Sequence, residues 1–160
     1  MPDCVVIVAS VRALKTHGGG PPITPGAVVP SVYTEEVSFY PYHKISKHCY
    51  SWSLRLQNLE LLEKGLCNLE AHLKNISGHL NLPVIVAINK FSSDTEKELQ
   101  LVKERSLKAG AFDAQVCRNW ELGGEGALDL AESLFRACKQ SDKVGRFMYA
   151  LDLPIKVWTG

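Results

Sequence analysis

Three short apolar runs lie along the chain, and each ends abruptly in polar or aromatic residues. They are Cys4–Ala9, Pro83–Asn89 and Phe112–Cys117. The second is rich in valine and isoleucine, which is typical of a strand buried on both faces in a parallel sheet. Ligands of such sheets bind at the carboxyl ends of the strands. The pattern therefore predicts a functional edge at Asn89 and Phe91.

Helical periodicity fills the intervals between these strands. A stripe of apolar residues at spacings of three and four predicts a helix that starts near Asn58. The stripe consists of Leu59, Leu62, Leu66, Leu69, Leu73 and Ile76. Ser93–Glu96 has the form of a capping box, so a second helix is predicted to start near Thr95, and a third spans Ala127 to about Lys139. The alternation predicts an α/β fold in which helices flank one parallel sheet.

Composition and charge narrow the classes of partner. The chain has 160 residues, of which 46% are hydrophobic and 22% charged, and its formal net charge is +1. A nearly neutral chain lacks the excess of positive charge that favours binding to nucleic acid or an anionic membrane. No apolar run is long enough to cross a bilayer. We expect neither partner. The five cysteines are scattered without a Cys-x-x-Cys pair, which indicates reduced thiols inside the cell.

Two polar segments follow predicted strands. After the first strand, Arg12 and Lys15 lead into Gly18, and this combination suits an anion, although its spacing is not that of a phosphate-binding P-loop. A flexible loop with solvated charges is the more ordinary interpretation. After the third strand, Trp120 lies in the glycine-rich segment Arg118–Gly126, which leads into a helix. That arrangement suits an anion or the polar edge of a ligand.

The segment Val37–Gln57 interrupts this plan. It is crowded with aromatic and basic residues and shows no sustained helical or strand period. His43, His48 and Cys49 have no second ligand pair at a metal-binding spacing, so no metal site is expected. Basic and aromatic residues together could bind single-stranded nucleic acid, but the net charge does not support this. We expect a poorly ordered insert.

Five segments resemble formate–tetrahydrofolate ligase, also known as the synthetase domain of C1-tetrahydrofolate synthase, and they occur in the family's order. They are Pro2–Gly19, Asn58–Leu69, Asn89–Glu96, Gly110–Ala114 and Trp120–Gly126. The resemblance implies ATP-dependent ligation of formate to tetrahydrofolate through formyl phosphate, giving 10-formyltetrahydrofolate for one-carbon metabolism. It implies small-molecule substrates, ATP with Mg and tetrahydrofolate, and homo-oligomers in the cytoplasm, with mitochondria as the alternative.

The resemblance also assigns residues. It implies that Phe91 and Trp120 sandwich the pteridine ring of the folate, with Asn89 beside them. It implies a second group near the nucleotide or the anionic intermediate, which consists of Asn89, Arg12, Lys15, Gly18 and Gly19. It implies a P-loop-NTPase-like fold, here incomplete, because the family's P-loop lysine lies upstream of these residues. We therefore expect residues 1–160 to form part of a synthetase domain, inactive alone, with no catalytic residue assigned.

Two further hypotheses concern the same residues. Asn89 and Lys90 resemble the start of the Asn-Lys-x-Asp base-reading signature of GTPases, but Ser92 occupies the position of its carboxylate. A nucleotide-binding or regulatory interaction module without catalysis is thus the alternative function. Separately, Val37–Gln57 is predicted to be translated intron, because valine codons begin with GT and one glutamine codon is CAG. The tail from Val157 has the same predicted origin.

Overall fold

A computed structural model describes residues 2–21, 45–140 and 146–147, and for 45–58 and 140 it describes the backbone alone. In this part of the chain three strands form one sheet in the order β1-β2-β3. The strands are β1 Val5–Ala9, β2 Val84–Asn89 and β3 Asp113–Cys117. Both strand pairs are parallel, so the prediction of one parallel sheet is confirmed.

Helices connect and cover these strands. They are α1 Val11–His17, α2 Ile45–Leu73, α3 Glu96–Lys108, α4 Asn119–Leu122 and α5 Leu128–Gln140. A π-helical turn, Lys74–His79, continues α2, and a 3-10 turn, Gly123–Ala127, separates α4 from α5. The helices predicted near Thr95 and Ala127 each begin one residue later. Among the described helices, none is long and apolar enough to span a membrane.

The start of α2 differs from the prediction. The helix was predicted to begin near Asn58, but its backbone is helical from Ile45. Helical hydrogen bonds are local, and residues 45–57 contain no glycine or proline, so nothing in this segment interrupts the helix. Residues 37–44 and the tail from Val157 lie outside the described residues. That 37–57 is a poorly ordered insert foreign to the family stays a prediction.

The cap of α3 also differs from the prediction. Thr95, not Ser93, is the N-cap: its Oγ1 accepts from the Glu98 N–H at 3.4 Å, and the Glu98 carboxylate accepts from the Thr95 N–H at 3.0 Å. Ser93–Glu96 and Thr95–Glu98 both fit the capping-box pattern. The tertiary fold selects the second, because Glu98 is buried against Lys15 of α1.

The core lies between the sheet and the helices α1, α2 and α3. Most of the predicted α2 stripe faces it, and these side chains pack with alternate residues of β2, whose other face is covered by α5. The α2 and β2 members are Leu62, Leu66, Leu69, Leu73, Val84, Val86 and Ile88. Leu59, the predicted first member of the stripe, is 38% exposed instead.

Asp113 joins α5 to the amino end of β3. Its Oδ2 accepts from the Ser133 hydroxyl at 2.6 Å and from the guanidinium of Arg136 and the amide of Gln115, each at 2.9 Å. Burial raises the pKa of Asp113, but these donors and the backbone N–H of Ala114 outweigh it, so the pKa lies below its ordinary value. The ionised carboxylate therefore stabilises the contact between α5 and the sheet.

Candidate functional site

The carboxyl ends of β2 and β3 finish level with each other. Asn89 pairs with Cys117 in the parallel register, and the Lys90 N–H donates to the Cys117 carbonyl at 3.0 Å. Phe91 and Trp120 follow these ends by two and three positions. Two loops, 90–95 and 118–127, therefore leave the sheet side by side, each with an aromatic residue near its start. The second is formed by α4, which contains Trp120, and the 3-10 turn that follows it.

A tight turn fixes the backbone of the first loop. The Phe91 N–H donates to the Asp94 carboxylate at 2.8 Å, and the Asp94 N–H donates to the Phe91 carbonyl at 3.0 Å. Asp94 is only 9% exposed. Burial raises the pKa of this carboxyl above its usual value; Glu98 adds to the rise, while the Phe91 N–H and the cations Arg12 and Lys15 oppose it.

Phe91 is half-buried; its ring contacts Arg12 of α1, and the residue lines a cavity. The guanidinium carbon of Arg12 lies 4.3 Å from the ring centroid, and an Arg12 nitrogen donates to the Ser93 hydroxyl at 3.2 Å. Phe91 and Asn89 line a cavity of about 400 Å³ together with residues of β1, α1 and α2. The structure thus brings Phe91, Asn89 and Arg12 together, although Arg12 contacts the ring rather than the cavity.

Backbone hydrogen bonds close the second loop. The Arg118 carbonyl accepts from the N–H groups of Glu121 and Leu122, and the Arg118 N–H donates to the Gly126 carbonyl at 3.1 Å. A Cβ on Gly126 would lie 2.5 Å from the Arg118 carbonyl, so this approach requires glycine. Trp120 is 94% exposed and is not among the described residues that line the Phe91 cavity.

The segment after β1 is a helix, not the flexible loop with solvated charges that the sequence favoured. The Ser10 hydroxyl caps α1 by accepting from the Ala13 N–H at 3.4 Å. Arg12 and Lys15, three positions apart, lie on one face of this helix, which is turned toward α3 and the Phe91 loop. Lys15 is 1% exposed and forms an ion pair with Glu98.

The glycines after α1 have different environments. A Cβ on Gly18 would lie 1.8 Å from the Leu61 carbonyl oxygen of α2, whereas Gly19 has open space around it and a φ of +100°, which favours glycine. The N–H groups of Gly18 and Gly19 both donate to carbonyls of α1. Both glycines therefore end a helix, and a helix C-terminus carries partial negative charge.

Several residues of this edge were missed by sequence reasoning. Asp94, Glu98 and Gly65 were not singled out, yet they fix the Phe91 turn, the start of α3 and the crossing of α1 and α2. The overlapping Thr95–Glu98 box and the turn preference of aspartate were usable signals for the first two. For Gly65 no local pattern distinguishes a close helix contact from an ordinary helical glycine.

Metal ligands are not grouped in the described residues: there, no set of three or more His, Cys, Asp or Glu side chains could hold an ion. His43 lies outside the described residues, and for His48 and Cys49 the structure describes the backbone alone. The sequence expectation on those three therefore stays a prediction.

The fold and this edge define an α/β protein in which adjacent parallel strands present an amide and two aromatic residues at their carboxyl ends. The chain belongs to the formate–tetrahydrofolate ligase family, whose family model matches residues 1–158. This confirms the family that the sequence motifs resembled.

Individual relatives agree with the family. Over 155 residues, 97% of this chain, it is 45% identical to the cytoplasmic C-1-tetrahydrofolate synthase of Spodoptera frugiperda. It is 40% identical to the formate–tetrahydrofolate ligase of Spinacia oleracea and 39% identical to the mitochondrial monofunctional C1-tetrahydrofolate synthase of Mus musculus, over the same share. The chain spans 14%, 21% and 14%, respectively, of the lengths of these relatives.

Proposed function

We propose that this chain forms the folate-binding side of an ATP-dependent formate–tetrahydrofolate ligase, which produces 10-formyltetrahydrofolate in one-carbon metabolism. One observation carries the proposal: Phe91 and Trp120 follow adjacent parallel strands directly, at the edge where such sheets bind ligands. Family membership supports the reaction. The pteridine would stack between the two aromatic side chains, with Asn89 offering a donor and an acceptor to the polar edge of the ring.

Trp120 has the larger stacking surface to offer. Its side chain is almost fully exposed, so a ligand ring can cover it without displacing other side chains. Phe91 supplies a smaller surface that is already fixed in place. Stacking of one heteroaromatic ring on an aromatic side chain contributes about 1–3 kcal/mol. We therefore expect Phe91 and Trp120 to supply most of the stacking free energy of folate binding.

Asn89 lines the Phe91 cavity, and the other four of the five residues expected near the nucleotide or the anionic intermediate have contacts that favour indirect roles. Lys15 is paired with Glu98 in the interior, and Gly18 is packed against α2. The N–H groups of Gly18 and Gly19 are engaged at the negative end of α1, which does not attract an anion. We propose that Lys15, Gly18 and Gly19 support the site through the fold, and that Arg12 acts on the Phe91 ring.

Turnover requires a phosphate-binding element for ATP with Mg. The 160 residues contain no Gly-x-x-x-x-Gly-Lys-Ser/Thr sequence, which in P-loop proteins holds the phosphates and the ion. We therefore propose that this stretch binds folate without completing the reaction alone. A regulatory module without catalysis is the alternative. Relatives named as cytoplasmic make the cytoplasm the proposed location, with mitochondria as the alternative, and homo-oligomerisation stays a prediction.

The test is a calorimetric titration of the 160-residue chain with tetrahydrofolate under reducing conditions. Trp120→Ala should weaken binding by about 1–3 kcal/mol, which is about 5- to 150-fold in Kd. Phe135→Ala is the matched control, because this aromatic side chain is 62% exposed on α5 and lies outside both loops. Equal affinities of the parent and Trp120→Ala chains, or equal losses in both variants, would refute the folate site.

A further inference from the structure

Arg12 connects α1 to the loop that carries Phe91. Its guanidinium carbon lies 4.3 Å from the centroid of the Phe91 ring, within the range of a cation–π contact. One terminal nitrogen also donates to the Ser93 hydroxyl in the same loop, at 3.2 Å. The two contacts are made by one side chain across a large separation in sequence. Arg12 therefore restrains this loop relative to α1.

The Arg12 side chain is partly buried. Its Nε is buried and has no hydrogen-bond partner among the described residues. The Phe91 ring supplies an electron-rich face to the guanidinium cation. Arg12 thus directs its guanidinium to the aromatic ring and to a hydroxyl of the same loop, whereas a residue that binds an anion would present its N–H groups to open space.

The backbone and the ring of Phe91 are held separately. Asp94 holds the backbone, because its carboxylate accepts from the Phe91 N–H at 2.8 Å. That bond leaves rotation about the side-chain torsions free, and the Arg12 contact restricts it. A ring with one face against a cation keeps its other face available for stacking.

We propose that Arg12 is a positioning residue for folate binding, which covers one face of Phe91 and fixes the ring so that the opposite face receives the pteridine. This inference rests on the proposed function and adds a role for Arg12 that the family resemblance did not imply. The resemblance placed Arg12 near an anionic intermediate, where it would contact the ligand directly. The two roles differ in one measurable respect, since a residue that acts through Phe91 has no effect once Phe91 is removed.

A double-mutant cycle tests this on the 160-residue chain, with the Kd for tetrahydrofolate measured by calorimetry. Phe91→Ala should weaken binding about tenfold, and Arg12→Ala about three- to tenfold. The double variant should bind within about twofold of Phe91→Ala, because the effect of Arg12 passes through the ring. Arg12→Lys keeps a cation near the ring and should recover part of the loss.

Controls separate this role from general stability. Arg105→Ala removes an arginine that pairs with Glu70, away from the Phe91 loop, and should leave the Kd unchanged. Thermal unfolding of each variant shows whether it is folded, and Arg12→Lys provides a second variant if Arg12→Ala is not. If the fold-loss of affinity in the double variant equals the product of the two single fold-losses, Arg12 contacts the ligand directly and the proposal is overturned.

The failures of the two proposals are distinguishable. If Trp120→Ala leaves the Kd unchanged, the folate site itself is wrong and the positioning role falls with it. If Phe91→Ala weakens binding but Arg12→Ala does not, the folate site stands and the positioning role is refuted. A titration with inorganic phosphate adds a direct check, since phosphate binding lost in Arg12→Ala would also refute positioning and indicate an anion ligand.

Discussion

The crossing of α1 and α2 depends on two glycines, and replacing either with alanine should destabilise the protein. A Cβ on Gly18 would lie 1.8 Å from the Leu61 carbonyl oxygen, and one on Gly65 would lie 1.7 Å from the Leu14 carbonyl oxygen. An ordinary contact begins at 3.4 Å, so the helices would have to separate by about 1.6 Å. The atoms that would be struck belong to the backbone and cannot rotate away.

The size of the destabilisation follows from the apolar contacts that this separation of the helices would weaken. Val11 and Leu14 of α1 are 1% and 5% exposed, and both would lose contacts with α2. Overpacking of this kind costs about 1–3 kcal/mol, and a backbone clash belongs at the upper end. We expect about 3 kcal/mol for Gly18→Ala. For Gly65→Ala we expect about 2 kcal/mol, because alanine is better than glycine by about 1 kcal/mol inside a helix.

Urea denaturation followed by circular dichroism measures these changes. Gly78→Ala is the matched control, because nothing lies within 4 Å of its Cβ, and it should leave the unfolding free energy unchanged or raise it by up to about 1 kcal/mol. The double variant of Gly18 and Gly65 should cost less than the sum, since the helices separate only once. If Gly18→Ala kept full stability but lost ligand binding, Gly18 would serve the ligand and our reasoning would be refuted.

Three further predictions concern charge and chain length. Lys15→Met should lower the unfolding free energy by about 3–5 kcal/mol because it leaves Glu98 buried without its cation. Adding Glu98→Met should recover all of this except about 1 kcal/mol, which is the cost of losing the capping box. Equal losses of unfolding free energy in the single and double variants, measured by urea denaturation, would contradict this. The pKa of Asp113 is lower in the folded protein than in the unfolded chain. Its carboxylate therefore stabilises the fold fully at any pH above the unfolded-state pKa, and this stabilisation is lost as the pH falls through the folded-state pKa. Asp113→Asn should therefore flatten the fall in unfolding free energy as the pH drops below about 5, and an unchanged slope would show that this carboxylate is not responsible. Deletion of 37–57 should preserve the fold, since among the side chains of α2 that the structure describes, those from Leu59 onward, the buried stripe begins at Leu62, and a loss of more than about 2 kcal/mol would show that the segment packs.

Strand β2 could be predicted from the sequence because burial on both faces leaves a local signature, whereas the run predicted as the first buried strand became β1, in which Val8 is 71% exposed. Val84–Ile88 is apolar at every position, and each of its residues is buried in the structure. The site followed from the same signature, since residues that come directly after buried strands must lie at the edge of the sheet. Phe91 and Asn89 needed no tertiary information beyond the parallel arrangement.

The roles of the charged residues could not be predicted in the same way. Lys15 in a segment that ends in glycine has the sequence signature of an anion site, and only the position of Glu98 shows that its charge is neutralised in the interior. The choice between two overlapping capping boxes depended on the same contact. Pairing between distant positions leaves no periodic trace, so local patterns assign such cations to ligands when the fold uses them internally.

The two halves of the candidate site differ in how firmly they are held, and this has a consequence for binding. Phe91 is fixed by a buried carboxylate on its backbone and by a guanidinium on its ring. The backbone around Trp120 is held by hydrogen bonds, but its side chain is 94% exposed, and exposed side chains in general change rotamer readily. The entropy lost on binding therefore falls mainly on Trp120, which has only two side-chain torsions to order. A ligand ring that docks first on the fixed Phe91 can then be covered by Trp120, so Phe91 should govern where the ring sits, and Trp120 how long it stays.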